Sequence, residues 1–320
     1  MKLFHETTIK FYSKKSQPKI CIISDIHFSY RVKDKKLNAL REKLKERNPD
    51  YIFIPGDIVD SNDMIVDKSE EKRLLNWLES LGKIATVLIS EGNHDTYKKA
   101  SKEHKKQTGD KWEVIKNTDF IKKVNELENV HYLDNEVYED KNVYVLGLTL
   151  SAHYYCLFAS DKKKNTSPTG ENVEQFLKEL DDLDQKLITN LPKNKLKFAL
   201  IHSPCHLNDF RVKAELAEFD YFISGHMHNG LVPPIIDELW RSDRGLINPT
   251  KIFFTEQTRT SRKTLSEKSI IAGAITSWHE SLGLAHNLNA LYPSYFITLE
   301  FTNNDQYARK PYVRKKYLNY

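Results

Sequence analysis

The stretch Ser224-Gly225-His226-Met227-His228-Asn229-Gly230 decides how this chain is read. It follows an apolar run, Phe219 to Ile223, so a strand delivers two imidazoles, one residue apart, into the loop at its end. Neutral imidazole binds first-row transition metals, and the flanking glycines allow a backbone tight enough to aim both rings the same way. A His-x-His pair alone is more often two polar loop residues than a metal site. The reading therefore turns on whether other donors end at the same place.

Outward from that stretch, four more apolar runs end in polar clusters. The run Leu196 to Ile201 ends in His202, and Ile20 to Ser24 leads to Asp25 and His27. Tyr51 to Pro55 runs into Gly56-Asp57, with Asp60 close behind, and the β-branched run Ile84 to Ile89 precedes Gly92-Asn93-His94-Asp95. Between these runs the spacing predicts helices. Leu37, Leu40 and Leu44 lie three and four apart over 34–47, stopped by Asn48-Pro49, and Leu74, Leu78 and Leu81 share a face over 70–81. Strand, helix, strand, helix, strand predicts an α/β fold with a parallel sheet and crossover helices, whose sites lie at the carboxyl edge of the strands.

The remaining segments are less marked. The start of the chain reads as polar, and 98–111, with six lysines, as a solvated loop. A helix is expected around 112–128, strands near 130–133 and 143–149, a turn-rich loop at 161–170, a periodic helix over 171–189 and a short one near 208–218. A Pro- and Arg-rich irregular region runs from Gly230 to about 268, followed by strands at 269–275 and 295–301 and a basic, aromatic tail from Arg309. No repeat or linker stands out. Any cut between Asp25 and His228 would split the donors, so residues 1–320 read as a single domain, its motifs in 20–230 and its closing strands in 231–320.

Composition excludes several classes. The chain has 320 residues, 39% of them hydrophobic, which is enough for a large core. No apolar run approaches the ~20 residues of a membrane span, and Met1 to Lys19 has lysines but no apolar segment or cleavage site. Three cysteines, Cys21, Cys156 and Cys205, are odd in number and widely spaced, which argues against a disulfide framework or a Cys-x-x-Cys zinc site. A cytoplasmic location is expected. The formal charge of +5 falls short of a dedicated nucleic-acid binder and is compatible with an anionic substrate.

Each polar cluster by itself is ordinary turn or cap chemistry, but independent turns would not gather Asp, Asn and His at one edge of one sheet. Seven O and N donors also exceed the roughly four to six positions around one transition ion. A bridging carboxylate would let two ions sit ~3.5 to 4 Å apart. Two such ions neutralise a phosphate, lower the pKa of a bridging water so that hydroxide attacks phosphorus in line, and stabilise the leaving oxygen. A histidine left free of the metals could protonate that oxygen, and carboxylates outside the donor set, Asp60 and Asp95, remain to orient ligands or that histidine.

Asp25-x-His27, Gly56-Asp57-x-x-Asp60, Gly92-Asn93-His94-Asp95, His202 and Gly225-His226-x-His228 resemble, in order, the five blocks of the calcineurin-like metallophosphoesterase family. The resemblance implies that Asp25, His27 and His228 hold one metal and Asn93, His202 and His226 the other, with Asp57 bridging. It further implies His94 as the catalytic acid. The implied fold is a four-layer αββα sandwich, two central mixed β-sheets flanked by helices, in place of the open sheet.

The reading is a metal-dependent phosphoester hydrolase acting on a phosphodiester, with manganese expected and iron or zinc next. Its competitors are a nuclease, a hydrolase of lipid-linked diesters or pyrophosphates with peripheral membrane contact, and a catalytically silent scaffold of the same fold. The full donor set with His94 argues against the scaffold, and a lysine run is more often a solvated face than a nucleic-acid groove. His206 could rival His202 as a ligand, but only His202 directly abuts its strand, so His206 is read as a surface residue or one that supports a ligand; Cys205, His153 and His279 are read as inert or loop residues. Segment 230–262 leaves directly from His228; its Arg241 and Arg244 are expected to hold a second phosphate or a membrane surface above the site.

Overall fold

The computed structural model describes residues 3–60, 67–115, 117–163, 172–204, 207, 209–226, 228, 269–276, 294–308 and 311–319. In chain order the strands are β1 (Leu3–Tyr12), β2 (Lys19–Ile22), β3 (Tyr51–Pro55), β4 (Thr86–Ser90), β5 (Tyr97–Lys99), β6 (Trp112–Val114) and β7 (Val130–Leu133). They continue as β8 (Glu136–Glu139), β9 (Val143–Leu148), β10 (Leu196–Ile201), β11 (Tyr221–Ser224), β12 (Ser269–Ile271), β13 (Ser294–Thr302) and β14 (Tyr312–Asn319).

Two sheets face each other. The first has the order β14-β1-β13-β2-β3-β4-β7 and the second β12-β11-β10-β9-β8. Both are mixed: β2, β3, β4 and β7 run parallel, as do β9 to β12, while β14 pairs antiparallel with β1, β13 with β2, and β8 with β9. The parallel strands are apolar on both faces because both faces are covered. Between the sheets lie Ile20, Ile22, Phe53 and Leu88 from the first and Val143, Val145, Phe198 and Ile223 from the second. On the outer face of the first sheet, Ile52, Ile54, Val87 and Ile89 pack on the helices Asp34–Arg47 and Lys68–Gly82 through Leu37, Leu40, Leu44, Leu74 and Leu78. On the outer face of the second, Leu146, Ala199 and Phe222 meet Phe176 and Leu180 of the helix Val173–Asp182. The order of layers is αββα, so the single open sheet expected from the strand–helix alternation is replaced by the sandwich.

Local chemistry sets the helix ends. Asp67 accepts hydrogen bonds from the amides of Ser69 and Glu70, a cap worth about 1 kcal/mol. Asn48, at φ 45°, turns the chain out of the first helix.

Several local expectations give way. The polar start is β1, of which Phe4, Ile9 and Phe11 are buried. The lysine-rich 98–111 is not a plain loop: β5 and β6 pair antiparallel around the short helix Lys102–Thr108. That pairing takes residues 112–114 from the helix expected there, which runs only over Thr118–Asn125. The helix expected over 171–189 ends at Asp182 and is followed by a 3₁₀ turn, Gln185–Leu187.

Candidate metal centre

β2, β3, β4, β10 and β11 all end at one place, and the loops after them interlock. The Asp25 amide donates to the Gly56 carbonyl (3.4 Å), the His27 amide to the Asp57 carbonyl (3.1 Å) and the Gly225 amide to the His202 carbonyl (2.9 Å). Asp25 also accepts the amide of His226 at 3.1 Å, tying the first motif to the last across 201 residues of sequence. Such threading leaves no room at the glycines. A Cβ on Gly225 would lie 1.9 Å from Ser24 Oγ and 2.5 Å from Asp25 Oδ2, and one on Gly92 would lie 2.2 Å from the Asp57 nitrogen.

The backbone here is unusual in a second way. Asp25 (φ 49°), His27 (45°), Asp57 (53°), His226 (66°) and His228 (48°) all adopt the left-handed conformation. Each such residue costs on the order of 1 kcal/mol or more, a strain that persists where geometry matters more than stability. The bends turn consecutive side chains back towards a common centre.

At that centre the side chains fall into three overlapping groups: Asp25, His27, Asp57 and His228; Asp57, His202 and His226; and His27, Asp60 and His94. Asp57 belongs to the first two. Its Oδ2 lies 3.0 Å from His202 Nε2 and 3.7 Å from His27 Nε2, while its Oδ1 accepts the His94 amide at 2.8 Å. Asn93 Oδ1 stands 3.0 Å from His226 Nδ1, so the asparagine joins the second group. In the first group the rings of His27 and His228 stack at 4.7 Å, with their Nε2 atoms 3.2 Å apart.

These contacts fit a cation. The Nδ1 of buried His202 donates to the Pro55 carbonyl (2.7 Å), which leaves Nε2 to face a carboxylate, and only a proton or a metal ion can sit between them. Although burial pulls His202 down, the Asp57 charge outweighs it and lifts the pKa to about 9, so the proton stays where a cation would displace it. Asp57 is held well below the usual carboxylate range: burial raises it, but His202, His94 and His27 prevail. His27 and His228 are both driven below the ordinary imidazole value, chiefly by burial. Neutral imidazoles are what metal coordination requires.

The third group surrounds His94. Its Nδ1 lies 2.6 Å from the main-chain carbonyl of Asp60, so Nδ1 carries the proton and Nε2 points away from that anchor. Burial lowers its pKa, but Asp57 and Asp60 together raise it above the ordinary value. Asp60 meets His94 through its carbonyl, and its carboxylate lies 3.9 Å from His27 Nδ1. The Asp95 carboxylate accepts the amides of Gly92 (2.8 Å), Ile58 (2.9 Å) and Val59 (3.1 Å), which pins the Asp57 and Asn93 loops together. Burial, and then the Asp57 charge, push Asp95 up to about 7.

The structure thus brings Asp25, His27, Asp57, Asn93, His202, His226 and His228 together, with His94, Asp60 and Asp95 around them. Arg241, Arg244 and the segment 230–262, together with Cys205, His206 and His279, lie outside the described residues. His153 is held by Asp161 at 3.1 Å. Tyr155, which no motif marked, lies with its ring 5.4 Å from that of His226.

Comparison with known proteins agrees with the motifs. A family model for calcineurin-like phosphoesterases matches residues 18–230. Among curated proteins none matches the sequence. Among solved structures, a dimetal phosphatase from Danio rerio aligns over 68% of this chain and 83% of its own, at 13% identity and a TM-score of 0.38.

Proposed function

The chain belongs to the calcineurin-like phosphoesterase family, and from that premise we propose that it hydrolyses phosphodiesters at a dinuclear centre bridged by Asp57. Membership makes it a dimetal-dependent hydrolase of phosphoric esters. The observation that carries the finer reading is the sharing of Asp57 between two groups of donors. In this reading Asp25, His27 and His228 hold one ion, and Asn93, His202 and His226 the other. Manganese is the ion we propose, with iron or zinc as replacements, since a mixed His, Asp and Asn set accepts all three. When bound, the pair of ions supplies charge neutralisation and a lowered pKa for the attacking water.

The protein's own residues do the rest. His94, oriented through Nδ1 by the Asp60 carbonyl, holds its transferable proton at Nε2. As the water oxygen bonds to phosphorus and gives up its proton to solvent, the opposite P–O ester bond breaks and the departing alkoxide takes the His94 proton. The neutral imidazole then recovers one from solvent. Asp95 acts at one remove, by fixing the loops that carry Asp57 and Asn93. Arg241 and Arg244 complete the proposal as anion contacts for the far side of a larger substrate.

The substrates in view are phosphorylated small molecules, nucleotides or lipid-linked esters, met in the cytoplasm by a single catalytic domain. Among the described residues no helix is long and apolar enough to cross a membrane. The test is a panel of aryl monoester, aryl diester, cyclic nucleotide, single-stranded DNA and pyrophosphate-linked lipid, assayed with manganese-loaded protein. Fastest turnover on a diester supports the proposal; a monoester preferred by more than about tenfold, at ~1.4 kcal/mol per decade, would overturn it.

A further inference from the structure

The loop after β9 is built around a residue that the reaction has not yet used. Residues 150–157 are held from several sides. Tyr97 Oη donates to the Leu150 carbonyl (2.9 Å), Ser151 is bonded through its amide to Glu179 (3.2 Å), Tyr154 Oη donates to Ser203 Oγ (3.2 Å), and the Asn172 amide donates to the Tyr154 carbonyl (2.7 Å). Between these anchors, Cys156 takes φ 53°. Among the described residues, every other non-glycine position at positive φ is Asn, Asp or His, whose side chains tolerate that conformation. Cys156 is not of those types, so the loop holds it there at a greater cost.

The strain delivers Tyr155. Its half-buried ring lies 5.4 Å from His226, tilted by 50°, and is backed by Tyr97 at 6.2 Å and Tyr154 at 5.1 Å. One side of Tyr155 packs on the helix-facing core that holds the fully buried Tyr154, and this fixes the ring beside His226. We propose that Tyr155 is a substrate-contacting wall of the centre that takes a planar aromatic group esterified to the phosphate, either an aryl ring or a nucleobase. A rigid aromatic face, held in advance by its neighbours, stacks on such a group at little entropic cost. The inference rests on the phosphoesterase reading of the same centre.

The test measures binding by calorimetry, using phosphonates, whose C–P bond the reaction does not cleave. Manganese-loaded full chain is titrated with phenylphosphonate, methylphosphonate and an adenosine 5′-phosphonate. The phenyl compound should bind about tenfold tighter than the methyl one, in the range of aromatic stacking. Tyr155→Phe should keep that preference; Tyr155→Leu, apolar but without a face, should lose most of it. The adenosine compound separates a nucleobase from a small aryl group by which of the two gains more. Equal binding of phenyl and methyl compounds by the wild type, or a preference that survives Tyr155→Leu, would overturn the inference. Should Tyr155→Leu fail to fold, the wild-type comparison and Tyr155→Phe still decide it. A Tyr155-dependent preference in a chain that cleaves no diester would sink the diester reading and leave this one standing, and cleavage without the preference would do the reverse.

Discussion

Two buried polar clusters are built on opposite plans, one among strands of the seven-stranded sheet and the other from loops that follow strands of both sheets. Near the terminal strands, Glu6 is buried with both oxygens engaged, by Arg47 Nε (2.5 Å), Arg47 Nη2 (2.6 Å) and Thr298 Oγ1 (2.9 Å). At the carboxyl edge, Asp57 and four histidines crowd together: His202 Nε2 faces the Asp57 carboxylate at 3.0 Å, and among the described residues His27 Nδ1 and His228 Nδ1 are buried without a hydrogen-bond partner. Charge pairing completes the first cluster from within. The second is incomplete without cations, and its left-handed backbone adds to the cost. A polar group kept for stability is satisfied by its neighbours, whereas one kept for chemistry waits for something brought from outside.

The contrast predicts unequal responses to mutation. Asp57→Asn keeps the shape of the bridge but removes its charge; metal content should fall from two ions towards one and diester turnover by at least about 10³-fold. A variant that still binds two ions, as read by elemental analysis, would mean that the bridge lies elsewhere. His94→Ala should keep both ions and lose about 10² to 10⁴ in turnover, with the smallest loss on esters that have good leaving groups. Loss of metal in that variant would make His94 a ligand of the third group.

Protons should report the same difference once metal is removed. In chelator-treated protein His202 should titrate near 9, while His27 stays neutral to well below 6.5 and His228 is lowered in the same direction. The signs are opposite. His202, raised in the folded state, stabilises the metal-free protein below about 6.5, and that contribution is lost as pH rises to about 9. His27 and His228, lowered, cost stability as pH falls below 6.5. Imidazole resonances followed by NMR, with melting curves across pH, check both arms; a His202 that titrates normally would remove the argument for a cation between it and Asp57.

The smallest effect belongs to the satisfied cluster. Glu6→Gln should lower stability by about 1 to 3 kcal/mol, the range for a buried charge-assisted hydrogen bond, with metal content and turnover unchanged. Glu6 is held below its unfolded value of 4.5, because Arg47 and Thr298 outweigh burial. Its contribution is therefore present above pH 4.5 and lost as pH falls through the lower folded value, and the variant should lack that acid-side decline. A matching fall in activity would show that the two clusters are coupled.

The sequence carries these regions unequally. The centre is legible because the donors lie shortly beyond the ends of buried strands, so an apolar run points to the polar residues after it, as Phe198 to Ile201 points to His202. β1 is hidden because its buried set mixes Phe4, Ile9 and Phe11 with Glu6 and Thr7, which breaks the alternation. The basic tail that forms β14 looks like solvated charge until its partner is known. Asp60 was legible as a neighbour of the centre but not in its contact, since a carbonyl's partner has no signature in side-chain type. Tyr155 had none either, because what marks it is the φ of Cys156.

β1 pairs on one side with β13, Phe4 opposite Ser294, and on the other with β14, Leu3 opposite Asn319. Both of its neighbours therefore lie far along the chain from it. Until they are made the first strand lacks these two partners, while β2, β3, β4 and β7 can already assemble. Loop closure over such a span is slow, and an unpaired strand edge invites other chains. The growing protein must carry an open edge until β13 and β14 arrive, and chains stopped before Ser294 would keep that edge exposed.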